Sequence, residues 1–174
     1  VEVALAGGVE APLAPLSYGS FALIRAMSQR NDDPGGACRP FDAGRDGFVM
    51  GEGACVLVLE ELERARARGA RIYAEITGYG VTNDAHHMTA PRPDGTKAAL
   101  AMRKALAMAG TEPSEVDHIN AHGSSTPLND STESQAVRAV FGGAADGVPV
   151  TATKPFHGHA LGASGAVEAA VVSL

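Results

Sequence analysis

Two short stretches carry residue types on which carbonyl chemistry could be built. One is INAHGSSTPLND, residues 119–130, where His122 precedes Gly123, three hydroxyl residues, Pro127 and the pair Asn129 and Asp130. The other is TKPFHGHALGASG, residues 153–165, with Lys154 and His159 ahead of a run of small residues. A helix that opens on small residues lets its N-terminus approach a ligand or another backbone closely. Its dipole, and a nearby Lys154 ammonium, disfavour a charged imidazole, so His159 is expected to be neutral and to donate an N–H. Two neutral imidazoles donating to one oxygen make an oxyanion site, suited to an enolate or another carbonyl-derived anion. Glu133, one helical turn beyond Asp130, is the expected partner of Lys154, fixing the lysine while leaving its field in the site.

Such a site needs elements that bring its parts together. VDHINA and VPVTAT read as strands, each followed by a helical pattern, STESQAVRAVF and ALGASGAVEAAVVS. If both strands lie in one sheet, their C-terminal loops leave by the same edge, and His122 and His159 can converge. Upstream, VEVALAGG reads as a strand, and SYGSFALIRAMSQR as a helix with Phe21, Ile24 and Met27 on one face. Residues 30–47 are dense in turn formers. GFVMGEGACVLVLEE then gives a buried strand, ELERARARG a helix closed by Gly69, and RIYAEITGYGV a further strand. Thr96 is the expected cap of a helix with Ala99, Met102, Leu106 and Ala109 on one face, ended by Gly110. Alternating strands and helices of this kind define an α/β layered fold with a largely parallel or mixed sheet.

The chain of 174 residues is 45% hydrophobic, enough for one sizeable core. Lys+Arg 14 against Asp+Glu 20 leaves a net charge of −6, and no basic tract is interleaved with aromatics, so nucleic acid is not an expected partner. No apolar run approaches the length of a membrane span. RARARGAR, Arg64 to Arg71, reads as a solvated helix face, with docking of an acidic partner as the sharper alternative. Cys38 and Cys55 form no disulfide framework and are not spaced as metal ligands, which fits a reducing, cytoplasmic setting. His86, His87 and His118 read as packing or surface residues, and no zinc-binding spacing occurs. Both ends lie inside apparent elements, so the sequence is expected to be an internal piece of a longer protein.

NAHGSSTPLND with its following TES, TKPFHGHALGASGAVEA, RPFDAGRDGFVMGEGACVLVLEE and DAHHMTAP together resemble the β-ketoacyl-acyl-carrier-protein synthases of the thiolase superfamily, nearest the elongating synthase II type. The resemblance implies a thiolase-like layered α-β-α-β-α fold, incomplete here, with residues 1–70 from the end of the N-terminal half and 71–174 from the start of the C-terminal half. It implies an acyltransferase that condenses malonyl-acyl carrier protein with an acyl thioester held on a cysteine, losing carbon dioxide in a decarboxylative Claisen reaction. His122 and His159 would then support decarboxylation and hold the enolate oxygen, with Lys154 and Glu133 ordering them. Thr89 and Ser124 would meet the phosphopantetheine arm, Thr126 would also be a substrate-binding residue, and Phe48 would stand near the acyl pocket. Arg25 would meet the acidic carrier protein.

No cofactor of its own and no metal are implied, since the phosphopantetheine arrives on the acyl carrier protein. The expected assembly is a homodimer or a ketosynthase heterodimer, with neither nucleic acid nor membrane as a partner. Neither Cys38 nor Cys55 has the surroundings of the family's nucleophile, which is expected upstream of Val1. Two related readings stay open: a ketosynthase subunit of a type II polyketide synthase, and a non-catalytic partner resembling a chain-length factor.

Overall fold

Valine and leucine residues populate Val3–Glu10 (β1) and Gly53–Glu60 (β2), and the two pair as an antiparallel ribbon from Val3↔Glu60 to Glu10↔Gly53. These strands belong to a computed structural model that describes residues 1–174. The chain forms two compact units, each assembled from separated stretches. The first comprises Val1–Arg25, Val49–Glu75 and His157–Leu174. In it the helix Leu161–Ser173 packs on both β1 and β2, while Leu5, Val9, Val56 and Val58 face outward.

Helix α1, Pro15–Leu23, begins with a proline whose missing N–H costs nothing in a first turn. It stops well short of the helix expected through Arg30. Ile24 is its cap, and Arg25 lies beyond it at φ 57, a left-handed turn that ends helical propagation. Arg25 is thus an exposed residue past the helix rather than a member of it. Helix α2, Leu62–Ala67, is capped by the Glu61 carboxylate, which accepts from Arg64 N at 2.8 Å. Its arginines are matched by acids: Arg64 with Glu2 and Glu60, Arg66 with Glu63, Arg68 with Glu60. Arg64, Arg66 and Arg68 of the basic run therefore form an ion-paired, solvated face, and Arg71 lies over the Tyr73 ring.

The second unit comprises Ala26–Phe48 and Ile76–Phe156. Helix α3, Thr96–Ala109, packs against α4, Pro127–Phe141. Val137, Phe141 and Val148 form the core, supported by Met102, Val116 and Ile119. Thr96 is not the cap of α3. That position is Gly95 at φ 62, and the Asp94 carboxylate takes the Thr96 N–H at 3.0 Å instead. Gly110 ends the helix in the left-handed region as the sequence implies.

The strand expected over 71–81 does not form, because no ladder partner lies beside it. From residue 76 onward this stretch runs along α3 instead, where a Cβ on Gly80 would stand 1.9 Å from Ala101 O. The strands expected around VDHINA and VPVTAT shorten to Ile119–Asn120 (β3) and Val150–Thr151 (β4). They pair in parallel, Ile119↔Val150 and Asn120↔Thr151, so the loops after both leave by one edge. A short helix, Lys154–His157 (α5), follows β4, and α6 is the Leu161–Ser173 helix already described.

Candidate active site

The parallel pair β3 and β4 delivers His122 and Lys154 to the same edge of the second unit. Lys154 is wholly buried, at 0% exposure, and its ammonium donates to the main-chain oxygen of His122. Glu133, from the second turn of α4, accepts from His122 N at 2.6 Å and from Gly123 N at 2.9 Å. The peptide between residues 122 and 123 is thereby gripped at both poles, its oxygen by a cation and its N–H by an anion. Charge-assisted bonds of this kind are the strong ones. Sequence reasoning pairs Glu133 with Lys154 directly, and the geometry unites them through the backbone of the histidine they flank.

The turn that carries His122 is tight. Gly123 sits at φ 43, and a Cβ there would lie 2.5 Å from the Ala152 side chain. Ser125, fully buried, adopts φ 67, a conformation that a side chain other than glycine holds only when its surroundings compel it. Its hydroxyl accepts from Arg39 N at 3.0 Å. Asp130, 1% exposed, accepts from Phe41 N at 2.8 Å and faces Arg45 Nε at 3.4 Å. The loop around residues 39–45 is thus clipped to the start of α4. Ser125 and Asp130 escape a sequence reading focused on histidines. The signal for Asp130 is an acid in a first helical turn, where the dipole welcomes it.

Ser124 is buried and its hydroxyl shares a hydrogen bond with Thr126 at 2.9 Å. Thr126 caps α4, accepting from Asn129 N at 3.3 Å. Phe48 lies in the same unit but in another element, 7% exposed, its main chain bonded to Ala26 and Ser28. Thr89 is exposed on a turn where His87 Nδ1 accepts its N–H at 3.1 Å and that of Ala90 at 3.1 Å. The adjoining segment, Thr82 to Met88, lines a shallow cavity of about 670 Å³. His118 shares a 2.7 Å hydrogen bond with the Thr151 hydroxyl beside the β3–β4 pair.

His159 belongs to the first unit, as does Arg25. Its main chain pairs with residues 49–51: His159 N donates to Val49 O at 2.7 Å, and Gly51 N to His159 O at 3.0 Å. That approach demands a glycine, since a Cβ on Gly51 would stand 2.3 Å from His157 O. The ring Nδ1 accepts the Leu161 N–H at 3.2 Å and lies 3.0 Å from the Ser164 hydroxyl. A backbone N–H can only donate, so Nδ1 is the acceptor and the ring proton resides on Nε2.

The fold and these motifs define a family. Residues 73–174 match the family described as "Beta-ketoacyl synthase, C-terminal domain", and residues 1–65 match "Beta-ketoacyl synthase, N-terminal domain", so the chain belongs to the beta-ketoacyl synthases. Among its relatives is the 3-oxoacyl-[acyl-carrier-protein] synthase 2 of Synechocystis sp., 55% identical over 165 residues, covering 95% of this chain and 40% of that protein. The synthase of the same name from Staphylococcus aureus is 53% identical, over 95% of this chain and 41% of that one. The chain therefore spans about two fifths of the length of these curated relatives.

Among solved structures, a chain of AntDE:AntF, a type II PKS acyl-carrier protein in complex with its ketosynthase bound to the hexaketide, gives a TM-score of 0.96. It is 45% identical, and the match covers 99% of this chain and 43% of that one. A beta-ketoacyl synthase from Burkholderia phymatum gives 0.90 at 45% identity, over 99% and 41%. The α/β, thiolase-like reading of the fold holds. No helix is long and apolar enough to cross a membrane.

Proposed function

We propose that the full-length protein is a β-ketoacyl-acyl-carrier-protein synthase, an acyltransferase that elongates acyl chains by decarboxylative Claisen condensation. The malonyl thioester loses carbon dioxide as its C–C bond breaks, and the electron pair passes into an enolate. The enolate carbon attacks the acyl thioester, and the C–S bond to a cysteine thiolate breaks. The observation that carries this reading is the doubly held peptide of His122, with Lys154 on its oxygen and Glu133 on its N–H. Such an arrangement fixes an imidazole for donation to a developing oxyanion. The Nε2–H tautomer of His159 makes it a second donor of the same kind.

Residues 1–70 close the N-terminal half of the fold and 71–174 open the C-terminal half. The nucleophilic cysteine lies in the part of the relatives that these residues do not span, and neither Cys38 nor Cys55 takes its place. Thr89 and Ser124 meet the phosphopantetheine arm, Thr126 binds substrate beside them, Phe48 borders the acyl pocket, and Arg25, exposed beyond α1, meets the carrier protein. The protein works in the cytoplasm, as a homodimer or a ketosynthase heterodimer, with no cofactor beyond the arm its carrier brings. The fatty-acid role is preferred to a polyketide one because the curated synthase 2 relatives share 53–55% identity, against 45% for the polyketide structure. Both histidines and their supports are retained, which disfavours a non-catalytic partner.

The test is decarboxylation of malonyl-acyl carrier protein by the full-length enzyme carrying His122→Ala or His159→Ala. Each variant is expected to lose the activity by at least about a hundredfold, the order found when an oxyanion donor is removed. Turnover at the wild-type rate in both would overturn the assignment.

A further inference from the structure

Two carboxylates stand one turn apart at the start of α4, Asp130 with 1% exposure and Glu133 half-buried. Acids at this spacing lie on one helix face and repel each other. Between them stands Asn129. Its amide Nδ2 donates to Asp130 Oδ1 at 3.1 Å and to Glu133 Oε2 at 3.3 Å. Both neighbours act as acceptors toward backbone N–H groups, so only the NH2 end of the amide can face them, and its two hydrogens serve one acid each. The backbone of Asn129 is itself fixed by the Thr126 cap.

A chain of contacts follows. Phe41 N and Arg45 hold Asp130, Asn129 links Asp130 to Glu133, and Glu133 holds the N–H groups of His122 and Gly123. The Oε2 atom that Asn129 touches is the one that takes the Gly123 N–H. We infer that Asn129 is a positioning residue for His122: its amide aims the Glu133 carboxylate so that the 122–123 peptide presents the imidazole to the reacting oxygen. The inference rests on the ketosynthase reading and adds to it a residue that touches no substrate.

An aspartate at position 129 would keep the size and shape but replace the donor with a third acceptor, turning a bridge into a repulsion. In the full-length enzyme, Asn129→Asp is expected to lower kcat for malonyl-acyl carrier protein decarboxylation by about tenfold or more, with KM within about twofold. Asn129→Ala is expected to lower kcat less. The decisive measurement is the same Ala substitution placed in a Glu133→Ala background, where it should cost no more than about twofold further, since residues acting through one another are not additive. Unchanged kcat in Asn129→Asp, or an equal loss with and without Glu133, would overturn the proposal.

A crystal structure of the Asn129→Asp enzyme separates the two readings. If the wild-type enzyme decarboxylates no malonyl thioester, the ketosynthase reading fails whatever that structure shows. If wild type is active but Glu133 in the variant still holds both N–H groups in place, the role of Asn129 fails alone.

Discussion

Around His122 the main chain is held by charged side chains that reach in from other elements: Lys154 from α5, Glu133 from α4, and Asp130 behind them. Around His159 it is held by other main chain, the segment at 49–51, through two backbone bonds that glycine makes possible. The first arrangement is electrostatic and long in side chains, so it depends on burial and on complete pairing. The second is steric and short in side chains, so it depends on the absence of atoms. The two histidine loops are thus secured by different physics, and single substitutions should separate them.

The largest effect is expected from Asp130→Ala. This removes the buried carboxylate from Phe41 N, Asn129 and Arg45, and loss of one partner from a buried ionic cluster costs about 3–5 kcal/mol. Denaturant unfolding of the full-length protein measures it, and a loss below about 1 kcal/mol would mean that the cluster does not secure the His122 loop. Next is Gly51→Ala, whose Cβ would meet a carbonyl oxygen at 2.3 Å and force the 49–51 and 157–159 segments apart. Overpacking of this sort costs about 1–3 kcal/mol. With isotope-labelled protein, the amide signal of His159 should shift while that of Gly123 stays, and movement of both would mean that the two loops are not secured independently.

Smaller is Thr126→Ala, which deletes the cap of α4 and should cost about 1 kcal/mol, read as a lowered Tm. The smallest effect lies outside both loops and contrasts an exposed carboxylate with the buried ones. The Asp94 carboxyl is drawn down to about 2 by the Thr96 N–H, then by the Arg92 guanidinium and the Thr96 hydroxyl. Its folded value lies below the ordinary 3.8, so the support it gives to the start of α3 is full above that value and fades as pH falls toward about 2. The Thr96 amide signal, followed by NMR titration, should report that midpoint, and a midpoint near 3.8 would mean that the cap is not formed in solution.

Much of this was legible in the residues. Amphipathic spacing located α3, and glycines marked the ends of α2 and α3, because both signals are local. The histidine loops were legible through their neighbours: a strand ending in Asn-Ala-His-Gly announces a turn at a sheet edge. What escaped was decided by distant partners. Residues 71–81 carry a strand's pattern, yet a pattern cannot supply the neighbour that a ladder needs. The helix through Arg30 fails because residues 26–28 pair instead with Phe48, and Asp46 captures Ser28 Oγ and Gln29 N. Asn129, Ser125 and Asp130 read as ordinary turn formers, because their importance lies in atoms contributed by residues 39–45 and by Glu133.

With the amide plane beyond residue 122 tied down at its oxygen and its hydrogen, that plane cannot rotate without breaking two charge-assisted hydrogen bonds at once. The imidazole then has only its two side-chain torsions to explore. Anchoring the backbone in this way removes part of the entropy that orienting the ring would otherwise cost.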